Sequence, residues 1–241
     1  GEPSNMTPVS EKEMVQNSFD AIKDMMARGQ TDGNIAIRMD PRQRTIAIMD
    51  DGIGMAPETL GNQFLQIAGT KKESEGSSGG LGIAKMLFLF GNQALAVTTM
   101  RDGKVARLVT TGEELFAALN DPTRNPRITV STPTAEDRKN FPKGHGTAVV
   151  VRVPEQYKDT ATGEMKNIEF NPALYRHNVL NRSPLFRNIN VTLNGQTVPG
   201  MGSDFAVDSQ TQFANVNFEW GTARIYVSKE STGQVSYSDN M

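Results

Sequence analysis

The chain is 241 residues long, and 25 basic against 27 acidic side chains give a formal charge of −2, a balance that argues against a protein built to coat a polyanion. It has no cysteine, which removes disulfides, thiolate metal sites and thiol nucleophiles, and its two histidines, His145 and His177, leave little for a histidine-rich metal site or a serine–histidine triad. Hydrophobic residues at 37% and charged residues at 22% suit a globular chain with a sizeable core, and no apolar run approaches the ~20 residues that span a bilayer.

These features fit a cytoplasmic protein with no membrane partner, in which any metal is a hard, oxygen-ligated ion. The sequence starts at Gly1 without an initiator methionine or a signal peptide and stops at Met241 after a strand-like run. It therefore reads as an excised part of a longer protein.

From Ser10 to Arg28, apolar residues at Met14, Val15, Phe19, Ala21, Ile22, Met25 and Met26 recur at helical spacing, with Gly29 as the stop. Asn34–Asp40 and Arg44–Asp50 alternate like the two strands of a hairpin, and the second delivers Asp50 and Asp51 to its exit. Pro57–Ile67 reads as a helix, Ala68–Gly80 as a glycine-, serine- and lysine-rich loop, and Leu81–Phe90 as a short, very apolar helix. A second hairpin, Gln93–Arg101 with Lys104–Thr111, turns at Asp102–Gly103. A helix around Glu114–Leu119, a strand near Arg127–Thr132 and polar connections lead to a strongly β-prone run, Thr147 to Val153. Pro154–Pro172 is polar and turn-rich. Ala173–Leu180 reads as helical, Asn188–Leu193 as a strand ending in the hairpin signal Asn194–Gly195, and Phe213–Trp220 with Thr222–Ser228 as a further strand pair.

Three segments carry chemistry. Glu13, Asn17 and Asp20 fall at i, i+4 and i+7 and line one face of a helix, where a carboxylate one turn from a carboxamide suits a base that orients water beside an oxygen ligand for Mg²⁺. A solvated face of an amphipathic helix would look the same. Asp50-Asp51-Gly52-Ile53-Gly54-Met55 places two glycines beyond a carboxylate, so the backbone can approach a planar ligand while the carboxylate accepts from an exocyclic amine. A tight turn is the plainer reading. Gly69 to Lys85, through Gly79-Gly80-Leu81-Gly82, sets glycines at the start of an apolar helix, leaving free N–H groups and a favourable dipole for an anion. Lys71, Lys72 and Lys85 add charge; a surface loop before a capped helix is the alternative. A P-loop is absent, and a dinucleotide fingerprint fits poorly.

In this order, the segments resemble the boxes of the Bergerat-fold (GHKL) ATPases, the superfamily of gyrase, the ninety-kilodalton heat-shock chaperone, sensor histidine kinases and MutL. Glu13, Asn17 and Asp20 match its helix box, Asp50, Gly52 and Gly54 its adenine box, Gly80 and Gly82 its lid glycines, and Gly146-Thr147 its closing strand, over roughly residues 10–153. The resemblance implies an α+β, two-layer sandwich: a mixed sheet with helices on one face, followed by a β-rich annex like the start of a transducer domain. It further implies ATP and Mg²⁺ as cofactors. Glu13 would polarise the attacking water and Asn17 would hold Mg²⁺. Asp50 would accept from the adenine amino group, supported by Thr147 through a water, and Met55 and Ile83 would line the adenine pocket. Gly79, Gly80, Leu81 and Gly82 would wrap the phosphates, with Lys85 as a further contact.

The expected organisation is an ATP-binding domain over 1–153, a connector helix and strand extending that unit over 154–200, and a β-rich, transducer-like segment over 201–241. The helix near Tyr175–Leu180, the strand at Ile189 and the lid sequence around Gly69 are similar to topoisomerase VI-like and gyrase-like members. The carboxylate at Glu13 favours the hydrolysing members over the sensor kinases, and the implied function is a slow, Mg-dependent ATPase acting as a conformational switch by lid closure and homodimerisation. A nucleotide-binding regulatory module without independent hydrolysis and a histidine-kinase-type catalytic domain are the alternatives. Downstream domains are expected partners. Nucleic acid is a conceivable client that the charge does not indicate.

Overall fold

The computed structural model describes residues 6–65, 93–159, 161–178, 188–198, 212–218 and 221–227. The expected loop at Ala68–Gly80 and helix at Leu81–Phe90 lie outside them. Chain order begins with a helix, α1 (Met6–Ala27), and a hairpin of β1 (Gly33–Asp40) and β2 (Thr45–Asp50). Then come α2 (Pro57–Leu65), a second hairpin of β3 (Ala94–Arg101) and β4 (Lys104–Thr111), and α3 (Gly112–Asn120). A single 3₁₀ turn, Pro122–Arg124, precedes β5 (Thr129–Ser131), α4 (Ala135–Asn140) and β6 (Gly146–Arg152).

Eight strands form one sheet in the order β10-β9-β1-β2-β6-β3-β4-β5. Here β9 is Ile189–Leu193 and β10 is Gln196–Thr197. The β1–β9 pair is parallel and the other pairs are antiparallel, so the sheet is mixed. Within the described residues, β9 and β10 add two strands to the sheet beside β1. The Asn194–Gly195 turn has positive φ at both residues, 49° and 80°, which matches the right-handed twist of the flanking strands. Two small sheets stand apart from the main one: β7 (Gln156–Lys158) with β8 (Met165–Asn167), and β11 (Gln212–Phe218) with β12 (Gly221–Val227).

One sheet face is the core. Alternation in β1 and β2 sends Ile35, Ile37, Met39, Ile46 and Ile48 to it, because successive side chains of a strand point to opposite faces. Met14, Val15, Phe19 and Ile22 of α1 and Leu60 of α2 cover that face. Gly29 closes α1: its amide donates to Met26 and that of Gln30 to Met25, the paired bonds of a Schellman cap. The final short helix, α5 (Pro172–Asn178), contributes buried Tyr175 to the same core.

The other face carries a smaller cluster, in which Phe141 packs with Met100 and Val105 against Met49 and Ala148. Phe141 follows α4, a helix where the sequence suggested only polar connections. Asp137 explains it. This residue completes a capping box with Thr134 and pairs with Arg107 of β4, so α4 is anchored by a buried acid rather than by an apolar stripe.

Candidate functional site

At the exit of β2, one row across the sheet differs from its neighbours. Asp50 faces Thr147, Thr147 faces Thr99, and Ile35 and Ala106 flank them. The next row on this face is Ile37, Ile48, Val149, Val97 and Leu108, apolar throughout. Asp50, Thr147 and Thr99 are all buried, and a buried polar cluster is stable only if its groups are bonded.

They are. The Ser18 hydroxyl on α1 donates to Asp50 Oδ2 at 2.8 Å, and the Gly52 amide to Oδ1 at 2.9 Å. Burial nevertheless pushes the Asp50 carboxyl up from 3.8 to about 7, against the lowering effect of the Gly52 amide, Ser18 and the Thr147 amide. The group therefore changes charge near neutrality, where an amine donor on a ligand would favour its ionised form.

Gly52 and Gly54 bring backbone into places a side chain could not share. A Cβ at Gly52 would lie 2.5 Å from the Ala21 Cβ, so α1 packs directly on this turn, and the Ile53 amide donates to the Ala21 carbonyl at 3.0 Å. Gly54 has φ +68°, and a Cβ there would sit 2.2 Å from the Met100 carbonyl oxygen. Both conditions demand glycine. Met55 follows, half-buried against the core, with its amide held by Thr99 Oγ1 at 2.8 Å.

Residues 143–147 close over the same turn. His145 Nδ1 lies 2.6 Å from the Gly52 carbonyl oxygen, which makes that nitrogen the donor. Lys143 Nζ pairs with Asp51 at 2.9 Å and Asp32 at 3.2 Å, while Asp51 also takes the Asn34 amide and carboxamide, each at 2.8 Å. Asp51 thus fastens the site's edge, leaving Asp50 alone in the row.

Glu13, Asn17 and Asp20 all fall within α1. Asn17 and Asp20 are half-buried, and Gln16 donates to Asp20 Oδ1 at 3.1 Å. Asn17 immediately precedes the Ser18 that binds Asp50. Gly79, Gly80, Leu81, Gly82, Ile83 and Lys85, with Lys71 and Lys72, lie outside the described residues. Among the described residues, no group of three or more acids or histidines is arranged to hold a metal ion; a single carboxamide oxygen such as that of Asn17 suits Mg²⁺ bound chiefly by phosphates and water.

Sequence reasoning passed over Ser18, Thr99, Lys143 and His145. Thr99 had a signal, because it continues the inward period of Leu95 and Val97 as a polar residue. His145 had none.

A two-layer α+β sandwich with a buried acid at a strand exit, a glycine turn beneath a helix and a threonine strand beside it defines a class of nucleotide-binding domain. The chain belongs to the histidine kinase-, DNA gyrase B- and HSP90-like ATPases, whose family profile matches residues 9–132, from α1 through β5. It is therefore an ATP-binding domain. Among the curated proteins nothing matches. No described helix is long and apolar enough to cross a membrane.

Proposed function

We propose that the chain binds Mg·ATP and hydrolyses it slowly, and that the bound nucleotide switches the conformation of a larger protein by closing a lid and favouring a dimer. The observation that carries the reading is Asp50, a buried carboxylate held by Ser18 and the Gly52 amide at the end of β2, beside a turn that only glycine can make. In this reading Asp50 accepts from the adenine amino group, Thr147 supports that contact through a water, and Met55 and Ile83 border the ring. Asn17 supplies an oxygen to Mg²⁺, which when bound offsets the phosphate charge. Asp20 completes the polar stripe beside it. Glu13 orients and polarises the attacking water. Gly79, Gly80, Leu81, Gly82 and Lys85 enclose the phosphates with amide and ammonium donors, an arrangement suited to stabilising charge as it develops.

Residues 1–153 would make the nucleotide-binding domain, 154–200 its extension and 201–241 the start of a transducer-like segment, acting with downstream domains. A cytoplasmic setting suits an ATP-fuelled switch.

The test pairs calorimetry, using a non-hydrolysable ATP analogue, with a phosphate-release assay. Glu13→Ala should keep analogue affinity within about threefold and lose at least ~100-fold in turnover, the usual scale for a general base. Wild-type-like turnover in that variant would remove Glu13 from its role. Binding without any phosphate release in the parent chain would instead favour a regulatory nucleotide-binding module.

A further inference from the structure

We propose that Thr99 is a positioning residue that locks the Thr147 hydroxyl as a hydrogen-bond acceptor, and thereby makes the pocket select a 6-amino over a 6-oxo purine. The inference rests on the ATP reading above and concerns a residue that the motif boxes do not include.

The argument is a count of protons. Thr99 Oγ1 has three polar neighbours: the Met55 amide at 2.8 Å, the Gly146 carbonyl oxygen at 3.1 Å and Thr147 Oγ1 at 3.0 Å. A hydroxyl offers one proton and two acceptor positions. The Met55 N–H can only donate, so it fills one acceptor position. Gly146 O can only accept, so it must receive the Thr99 proton. The contact with Thr147 is then left with no proton from Thr99, and two oxygens 3.0 Å apart require one between them. Thr147 must supply it. Its hydroxyl proton is thus directed inward to Thr99, and lone pairs are what it offers to anything lying against Asp50 and Thr147.

Surroundings reinforce this orientation. Thr99 is fully buried, so water cannot substitute for any partner, and an unpaired group there would carry a desolvation cost. Gly146 begins β6, which is paired with β2 on one side and β3 on the other, so the threonine pair cannot relax by moving the β6 backbone away without breaking those ladders. On the other side of Thr147, the Asp50 carboxylate takes donors from Ser18, the Gly52 amide and the Thr147 amide, and an ionised carboxylate has lone pairs alone to present.

The wall of the pocket is consequently built from acceptors: Asp50 when ionised, and Thr147 Oγ1. An exocyclic amine meets both with donors. A 6-oxo group would place lone pair against lone pair, and rejecting a ligand by leaving buried groups unpaired is a stronger discriminator than shape. Without Thr99's hydroxyl, Thr147 could turn its proton toward the ligand and serve either base.

The measurement is the affinity of the full chain for ATP and for ITP, by calorimetry at pH 8 where Asp50 is ionised, in the parent, Thr99→Ser and Thr99→Val. The parent should prefer ATP. Thr99→Ser, which keeps the hydroxyl, should keep that preference within about twofold. Thr99→Val, nearly the same shape, should lower the ATP-to-ITP ratio by about tenfold, the scale of one hydrogen bond, beyond any parallel loss in both affinities caused by freeing the Met55 amide. A ratio unchanged in Thr99→Val, or no preference in the parent, overturns the proposal. Should Thr99→Val not fold, Thr99→Cys carries the same test, since a thiol is too weak a partner to hold the Thr147 proton. Failure of the parent to bind either nucleotide would strike the ATP reading itself, whereas an ATP preference that survives loss of the hydroxyl strikes Thr99 alone.

Discussion

Burial sets the Asp50 carboxyl near pH 7, and this single value couples ligand binding to acidity. The ionised form is the stronger acceptor for an adenine amine, and the neutral form turns a proton into the site, so affinity should be flat above about pH 7 and fall below it. Adenosine is the suitable probe, since it carries no phosphate that titrates in this range. Its dissociation constant, measured from pH 5.5 to 8.5, should show that break, and Asp50→Asn should abolish both the break and the binding. A profile without a break near 7 would contradict the assignment. Stability has the opposite sign. The folded value lies above the unfolded value of 3.8, so the group stabilises the free protein fully below the unfolded value. That contribution is lost as pH rises through about 7, by a few kcal/mol at most. Nucleotide-free protein is thus weakest where the site is best charged, and ligand binding would offset the difference. At this scale the motif residues were legible because chemistry and spacing coincide in them. Ser18, Thr99 and His145 were not, because their meaning lies in partners 32, 48 and 93 positions away.

Elements meet at the glycine turn. Helix α1, the end of β2, the start of β6 and the end of β3 all reach Gly52–Gly54 through backbone atoms, so their spacing is set by the absence of side chains. Gly54→Ala should therefore act on several elements at once: a Cβ 2.2 Å from the Met100 carbonyl at φ +68° forces the β3 edge outward. Expected is a loss of about 2–4 kcal/mol in denaturant unfolding, with nucleotide binding lost even where the variant remains folded. Gly103→Ala, where a Cβ meets nothing within 4 Å although φ is +74°, separates backbone strain from the clash. Hairpins were readable from alternation and turn pairs, and α1 from its period. The short helix α4 was not, since its anchor is Asp137. There, burial opposes ionisation, but the Thr134 amide, Arg107 and the Thr134 hydroxyl outweigh it and hold the carboxyl below its usual range. Hydrophobic patterning is blind to such an anchor.

For the whole molecule, the switch reading requires nucleotide to change association. Light scattering with and without Mg²⁺ and a non-hydrolysable ATP analogue should show the mass doubling only when nucleotide is present, and the effect should vanish in Asp50→Asn. A mass that ignores nucleotide would remove dimerisation from the proposal. Fold class was legible because the helix box, the adenine box and the closing strand each name an element that the described residues contain. The return of the chain to the main sheet was less so, because the pattern Ile189, Val191, Leu193 shows a strand but not its neighbour.

That return has a kinetic consequence. Gly33 pairs with Ile189 and Ile37 with Leu193, a parallel contact bridging more than 150 residues of intervening chain. Loop closure on that scale is entropically unfavourable and tends to come late in folding. During synthesis, β1 must therefore emerge, pair with β2 and keep its other edge open until β9 follows from the ribosome. Until then it is an exposed strand edge of the kind that recruits foreign strands. Arg38 and Asp40 in β1 and Asp32 just before it, all exposed, place charge along the strand and at its approach while it waits.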